Sequence, residues 1–262
     1  MAILNNTYLS SSLYNTLPHI GAVSSAPEDH AADLQSLQDL LARHNVPPGV
    51  HVRLIHKHYD TLDGEVMVFS HSSVPGGMVQ TMRPVKLPIE STLRPVHYFV
   101  GEDERLQAYE YEYVDDNGDG DGNRAQLPDL TAFEPFLVEF CHKVALLGLQ
   151  RKFGLKIVDP ERSDGANSRT EYEFPLKRST ITIPEGLPVP DENDSESYSV
   201  ITEWSPGKTS LDGCSHSMQV CTHCKHKKGH ATLGDDHFTL GGRVLLPGSP
   251  VHDLVAAVVE AW

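Results

Sequence analysis

Positive charge is scarce in this sequence. Lysine and arginine total 21 against 36 acidic residues, a formal charge of -15. A chain this acidic lacks the broad basic face on which phosphate backbones and anionic lipid headgroups dock, which argues against general nucleic-acid or membrane-surface binding. No Lys or Arg precedes Arg43, and MAILNNTYLSSSLYNTLPHIG has no continuous apolar core, so neither a secretory signal nor a transit peptide is expected. No apolar run approaches the ~20 residues that span a bilayer. Cysteine is scarce too, at 4 residues. With no export signal, that scarcity points to a soluble intracellular protein in a reducing compartment, cytoplasmic or nuclear, where thiols stay available to metal. Common catalytic fingerprints are missing: there is no GxSxG, no GxGxxG after a strand, no Walker loop and no HExxH.

What is present is ordinary globular material. Hydrophobic residues make up 39% and charged residues 22% of 262 positions, enough to bury a core. Residues 1–24 are rich in Ser and Asn and read as a loosely ordered N-terminal arm. SAPEDHAADLQSLQDLLARHN reads as a helix, with Ser25 and Glu28 as a capping box and Ala31, Leu34, Leu37, Leu40 and Leu41 as its stripe. Asn45 and the following PPG stop it. From Val50 the period changes to two, and five short strands extend to about Val114. TAFEPFLVEFCHKVALLGLQRKFG is the longest predicted helix, with Gly154 as its left-handed end. More strands follow, then GSPVHDLVAAVVEAW as a short helix capped by Ser249. The expected fold class is α+β: residues 25–262 as a single domain, with one long and two shorter helices packed on a mainly antiparallel sheet.

LIHKHYDTLDGEVMVF, EFPLKRSTITIPEGLPVP and the closing GSPVHDLVAAVVEAW resemble a group of uncharacterised proteins from filamentous fungi, over most of residues 50–262. The resemblance implies a fungal, non-exported protein. It carries no activity and no functional residue.

The most specific chemical signal is CSHSMQVCTHCKHKKGH, residues 214–230. Cys221 and Cys224 form a CxxC that can grip one ion, with Cys214 seven residues before and His230 six residues after. Together they suit a closed tetrahedral zinc site, with His216, His223 and His226 as rival fourth ligands. A polar segment without apolar periodicity gains its folding free energy from such a metal. The spacing is not that of a DNA-reading finger, which needs two ligand pairs about a dozen residues apart. Lys225, Lys227 and Lys228 lower nearby thiolate pKa values or pair with the protein's own acidic loops.

His56-Lys57-His58 is the second constellation. Residues two apart on a strand share a face, so His56 and His58 extend the face of Val50, Val52 and Leu54. His-x-His strands present metal ligands in this way in cupin-type barrels. Here the following Glu65 comes later than the usual spacing, and His71 is a further candidate. The bland alternative is a hydrogen-bonded pair at a sheet rim. Asp115, Asn117, Asp119, Gly120 and Asp121 match the first half of an EF-hand loop, but Gln126 stands where a bidentate Glu belongs. That stretch reads as an acidic turn. Cys141 and His142 are helix neighbours that diverge by about 100°, so they do not make a nucleophile–base pair, and Cys141 reads as core.

Two functional classes result. The favoured one is a non-catalytic accessory or interaction protein stapled by zinc through Cys214, Cys221, Cys224 and His230, acting on an unidentified protein or small-molecule partner. The alternative is a metal-dependent oxygenase or hydrolase using His56, His58 and Glu65.

Overall fold

The computed structural model describes residues 3–74, 77–114, 127–158, 169–174, 177–184, 197–205, 219–224, 238–240, 243–245, 248–249, 252–253 and 255–256. The chain opens with strand β1 (Leu4–Asn5) and three single-turn helices, α1 (Ser11–Tyr14), α2 (Ile20–Val23) and α3 (Ala26–Asp29). The turns and the residues that link them bury Leu9, Tyr14, Leu17, Ile20 and Val23. Residues 3–24 are therefore packed on the domain rather than loose, because an apolar side chain recurs every few residues among the Ser and Asn. The expected capping box does not form. Ser25 Oγ donates instead to Asp29 Oδ2 at 2.8 Å, and the backbone leaves helical geometry at His30 (φ -121, ψ 31). Helix α4 (Ala31–Arg43) then starts afresh and buries Leu34, Leu37, Leu40 and Leu41. Asn45, at φ 50, ends it in the left-handed region that Asn tolerates.

The strands are β2 (Val50–Leu54), β3 (Glu65–Val74), β4 (Gly77–Lys86), β5 (Leu93–Val100), β6 (Leu106–Tyr113), β7 (Phe153–Ile157), β8 (Arg169–Phe174), β9 (Ser179–Pro184), β10 (Ser197–Ile201), β11 (Glu203–Trp204) and β12 (Gln219–Cys224). With β1 attached to β6, they form a 12-stranded sheet in the order β10-β12-β8-β9-β4-β3-β6-β5-β7-β2-β11. Its first and last members, β10 and β11, are the two halves of one extended stretch separated by Thr202. The first half pairs with β12 and the second with β2, and the Leu54 N–H donates to the Thr202 carbonyl at 2.8 Å. The sheet thus curls and closes on itself. Most pairings are antiparallel, but β1–β6, β3–β6 and β8–β12 are parallel, which makes the sheet mixed. A short hairpin, β13 (Phe238–Leu240) with β14 (Arg243–Leu245), stands apart from it.

Helix α5 (Glu134–Leu146) follows a 3-10 turn and matches α4 at 13 residues. It ends at Gly148 (φ +68) rather than at Gly154. Gly154 lies within β7, where an added Cβ would sit 2.0 Å from the Tyr98 carbonyl oxygen, so that position needs glycine for close strand approach. Helices α4 and α5 pack on each other and on β2 and β5. Between them lies the main apolar cluster, including Leu37, Leu41, Val50, Val52, Leu54, Phe136, Phe140 and Cys141. A second cluster, with Leu9, Tyr14, Ile55, Met67, Phe69, Met82 and Tyr109, fills part of the other side of the sheet. Of the closing segment, Ser249 Oγ accepts from the His252 N–H at 3.3 Å. No helix among the described residues is long and apolar enough to cross a membrane.

Candidate metal centre

Strand β2 is buried along its whole length. Its alternate residues Val50, Val52 and Leu54 join the helix-covered cluster. His51 and Arg53 point the other way, into the curled sheet. The strand ends at Leu54, and the next residues carry His56 and His58 to Glu171 on β8. Strands β2 and β8 are separated around the ring by β10–β11 and β12, so this contact crosses the interior. One ligand atom from each of His56, His58 and Glu171 lies within 4.8 Å of the others, and all three residues are buried. The two rings meet edge to face with centroids 4.9 Å apart. The group can hold a metal ion.

Each side chain has one polar atom fixed and one unmatched. His56 Nδ1 donates to the Leu54 carbonyl at 2.9 Å, which leaves Nε2 with its lone pair and no partner. His58 Nδ1 donates to Glu173 Oε1 at 2.7 Å, while its Nε2 makes no hydrogen bond. Glu171 Oε1 accepts from Thr180 Oγ1 at 2.7 Å, while Oε2 has no hydrogen bond. His58 Nε2 and Glu171 Oε2 stand 3.4 Å apart, within ion-pair distance but without a hydrogen bond. Buried polar atoms in native proteins are nearly always satisfied. Metal-binding histidines characteristically fix one ring nitrogen on a carbonyl or carboxylate and offer the other. Three unmatched atoms converging on one point, each with its opposite atom anchored, therefore form a ligand set. Glu171 and Glu173 reach it together because residues two apart on β8 share a face.

A second layer surrounds the group. On β6 the register against β5 shifts: His97 pairs with Glu110 and Tyr98 with Ala108, leaving Tyr109 bulged out. Bulges re-aim side chains. Tyr109 and Glu110 both reach the interior, where the Tyr109 hydroxyl accepts from Arg53 Nε at 3.4 Å. Glu110 accepts from the Tyr14 hydroxyl at 3.0 Å and from His97 Nδ1. His97 Nε2 is a further buried atom without a partner, outside the close group of three.

The electrostatics favour a cation at the centre. Burial alone would lower the His58 pKa, but the carboxylates of Glu171 and Glu173 push it up to about 10. Burial raises Glu171, and the His58 and Arg53 charges outweigh that and hold its carboxyl well below the usual range. Burial, then Arg53 and His58, keep His56 a neutral imidazole, the form that binds metal. Burial pushes Glu110 up to about 7 against the opposing pull of Arg53.

The other predicted residues fall elsewhere. Glu65 binds Arg178 Nη2 at 2.7 Å and accepts from the Leu62 N–H at 2.7 Å, so the carboxylate joining the histidine pair is Glu171. His71 Nε2 faces Glu112 at 3.3 Å. Cys141 is buried in the helix-covered core, where burial pushes its thiol up to about 12. Cys214, His216, His226, His230 and the three lysines lie outside the described residues, as does the 115–126 acidic turn. Cys221, His223 and Cys224 fall on the backbone of β12, and their side chains are outside the description. The residues that the sequence reading missed are Glu171, Glu173, His97, Glu110 and Arg53. The signal for the three glutamates was present as carboxylates alternating with aromatics in TEYEF and YEYEY.

No protein-family model, curated protein or solved structure matches this chain.

Proposed function

We propose that this protein is a metal-dependent enzyme with a mononuclear centre on His56 Nε2, His58 Nε2 and Glu171 Oε2. The supporting observation is the convergence of three buried atoms that have no hydrogen bond and whose opposite atoms are each anchored. Two imidazoles and one carboxylate suit a first-row divalent ion and leave coordination positions open. Zinc in such a site would supply Lewis-acid and hydrolytic chemistry, and iron(II) would supply oxygenase chemistry. The chain's own residues hold and shield the centre. Glu173 and the Leu54 carbonyl orient the imidazoles, and Thr180 orients Glu171. Glu110, with a carboxyl near neutrality, is placed to hold or release a proton in the same interior.

Elemental analysis of untagged protein tests this. The expected result is about one metal ion per chain, retained in Cys221→Ser/Cys224→Ser and lost in His56→Ala/His58→Ala and in Glu171→Ala. The reverse pattern would overturn the proposal and favour a zinc staple on Cys214, Cys221, Cys224 and His230. That rival rests on the CxxC spacing.

A further inference from the structure

Arg53 is the largest fully buried side chain among the described residues, at 1% exposure, and its charge acts on His56 and Glu171 of the proposed centre. Its Nε makes one long bond to the Tyr109 hydroxyl at 3.4 Å, and Nη1 meets no acceptor. Among the described residues no carboxylate forms an ion pair with it, although Glu110, Glu171 and Glu203 all contribute to its surroundings. These acids are committed elsewhere: Glu203 to His51 and Lys156, Glu110 to Tyr14 and His97, Glu171 to Thr180. A buried guanidinium left without a close anion is costly, and folded proteins rarely keep one. Its planar fork matches the two oxygens of a carboxylate. His97 Nε2 is a second unpartnered polar atom in the same interior.

We propose that Arg53 is the docking residue for a small organic carboxylate, the substrate or cosubstrate of the centre on His56, His58 and Glu171. The inference rests on the metal-enzyme reading for what lies next to that carboxylate. Charge favours a carboxylate over a phosphate. Glu110, Glu171, Glu173 and Glu203 already crowd the interior, so one guanidinium balances a monoanionic group and a dianion would add uncompensated charge. A residue that binds ligand at the expense of stability is a recurring trade in enzyme interiors.

The test uses the full chain, with metal content measured on every sample. Acetate, glycolate and pyruvate serve as monocarboxylate probes and inorganic phosphate as the control, read by calorimetric titration and thermal unfolding. At least one carboxylate should bind wild type and raise its unfolding temperature, with phosphate weaker. Arg53→Lys should weaken that binding about tenfold or more, since an ammonium cannot offer the paired fork. Arg53→Met should abolish it while leaving the unliganded protein as stable or more stable, because hydrocarbon replaces an unpaired buried charge. The proposal is overturned if no carboxylate binds, if phosphate binds better, if Arg53→Met binds equally, or if Arg53→Met destabilises the unliganded chain as a structural ion partner would. Metal bound normally with no carboxylate response removes Arg53's role alone. Arg53-dependent carboxylate binding by a chain that takes up no metal keeps the docking site and removes the metal reading.

Discussion

Val52 and Arg53 are neighbours on β2, at 0% and 1% exposure, and their side chains leave the strand in opposite directions. Val52 joins hydrocarbon from α4, α5 and the outer face of the sheet. Arg53 enters an interior of His, Glu and Tyr side chains. Burial is the same on both sides and its energetic meaning is opposite. Each leucine or phenylalanine sealed under the helices contributes about 1.5–3 kcal/mol by leaving water. Each charge sealed inside the ring carries a desolvation penalty that its partners only partly offset. The helix-covered face is therefore stabilised by burial itself, whereas the interior adds to its own apolar cluster a set of charged groups whose arrangement is explained by what they can bind.

The largest effect should come from the apolar side. Phe140 is fully buried between α5 and the sheet. Phe140→Ala should destabilise the fold by about 3–5 kcal/mol, measured by denaturant unfolding, while metal per folded chain stays constant. Loss of metal without loss of stability would break the division between the faces.

The closure seam is the next place to press. Glu203 on β11 binds Lys156 Nζ on β7 at 2.8 Å and also His51 Nδ1 on β2, so it fixes the half-strand that follows the Thr202 closure to β2 and to β7 beyond it. Burial raises its pKa, but Lys156 and His51 outweigh burial and hold the carboxyl well below its ordinary value. A carboxyl depressed on folding contributes stability that is fully present above its unfolded pKa of ~4.3 and is lost as pH falls through that value toward the folded one. The fold should therefore weaken below about pH 4. Glu203→Gln should cost about 3 kcal/mol at neutral pH by taking the carboxylate charge away from buried Lys156 and His51, and should flatten that acid limb. An unchanged acid limb in Glu203→Gln would place the seam's stability elsewhere.

How far the sequence was legible follows the same division. Leucines at helical spacing marked α4, and the Phe and Leu stripe marked α5, because their only task is to face hydrocarbon. Alternation marked β2, β3 and β6. The histidine pair was also visible, since HKH follows an apolar strand. Its third member was not. Glu171 lies 113 positions beyond His58, on a strand whose alternating carboxylates read as the wet face of an open antiparallel sheet. Closure through Thr202 makes that face an interior, and closure is a long-range event with no local signature. Glu65, nearer in sequence, was the natural candidate, but a salt bridge to Arg178 claims it.

The finest test asks whether the anchoring partners in the interior position ligands or merely fill space. Thr180 is fully buried and its hydroxyl holds Glu171 Oε1. Thr180→Val keeps the volume and removes the donor. If Glu171 is a ligand held by that bond, metal affinity should fall about 10–100-fold, the usual effect of losing an outer partner. Stability of the metal-free chain should move less than it does in Phe140→Ala or Glu203→Gln. Competition with a chelator of known affinity measures the first quantity and chelator-treated unfolding the second. A variant that binds metal as tightly as wild type but unfolds more easily would make Thr180 a packing residue. It would also leave Glu171 Oε2 as a charge paired with His58 and nothing more.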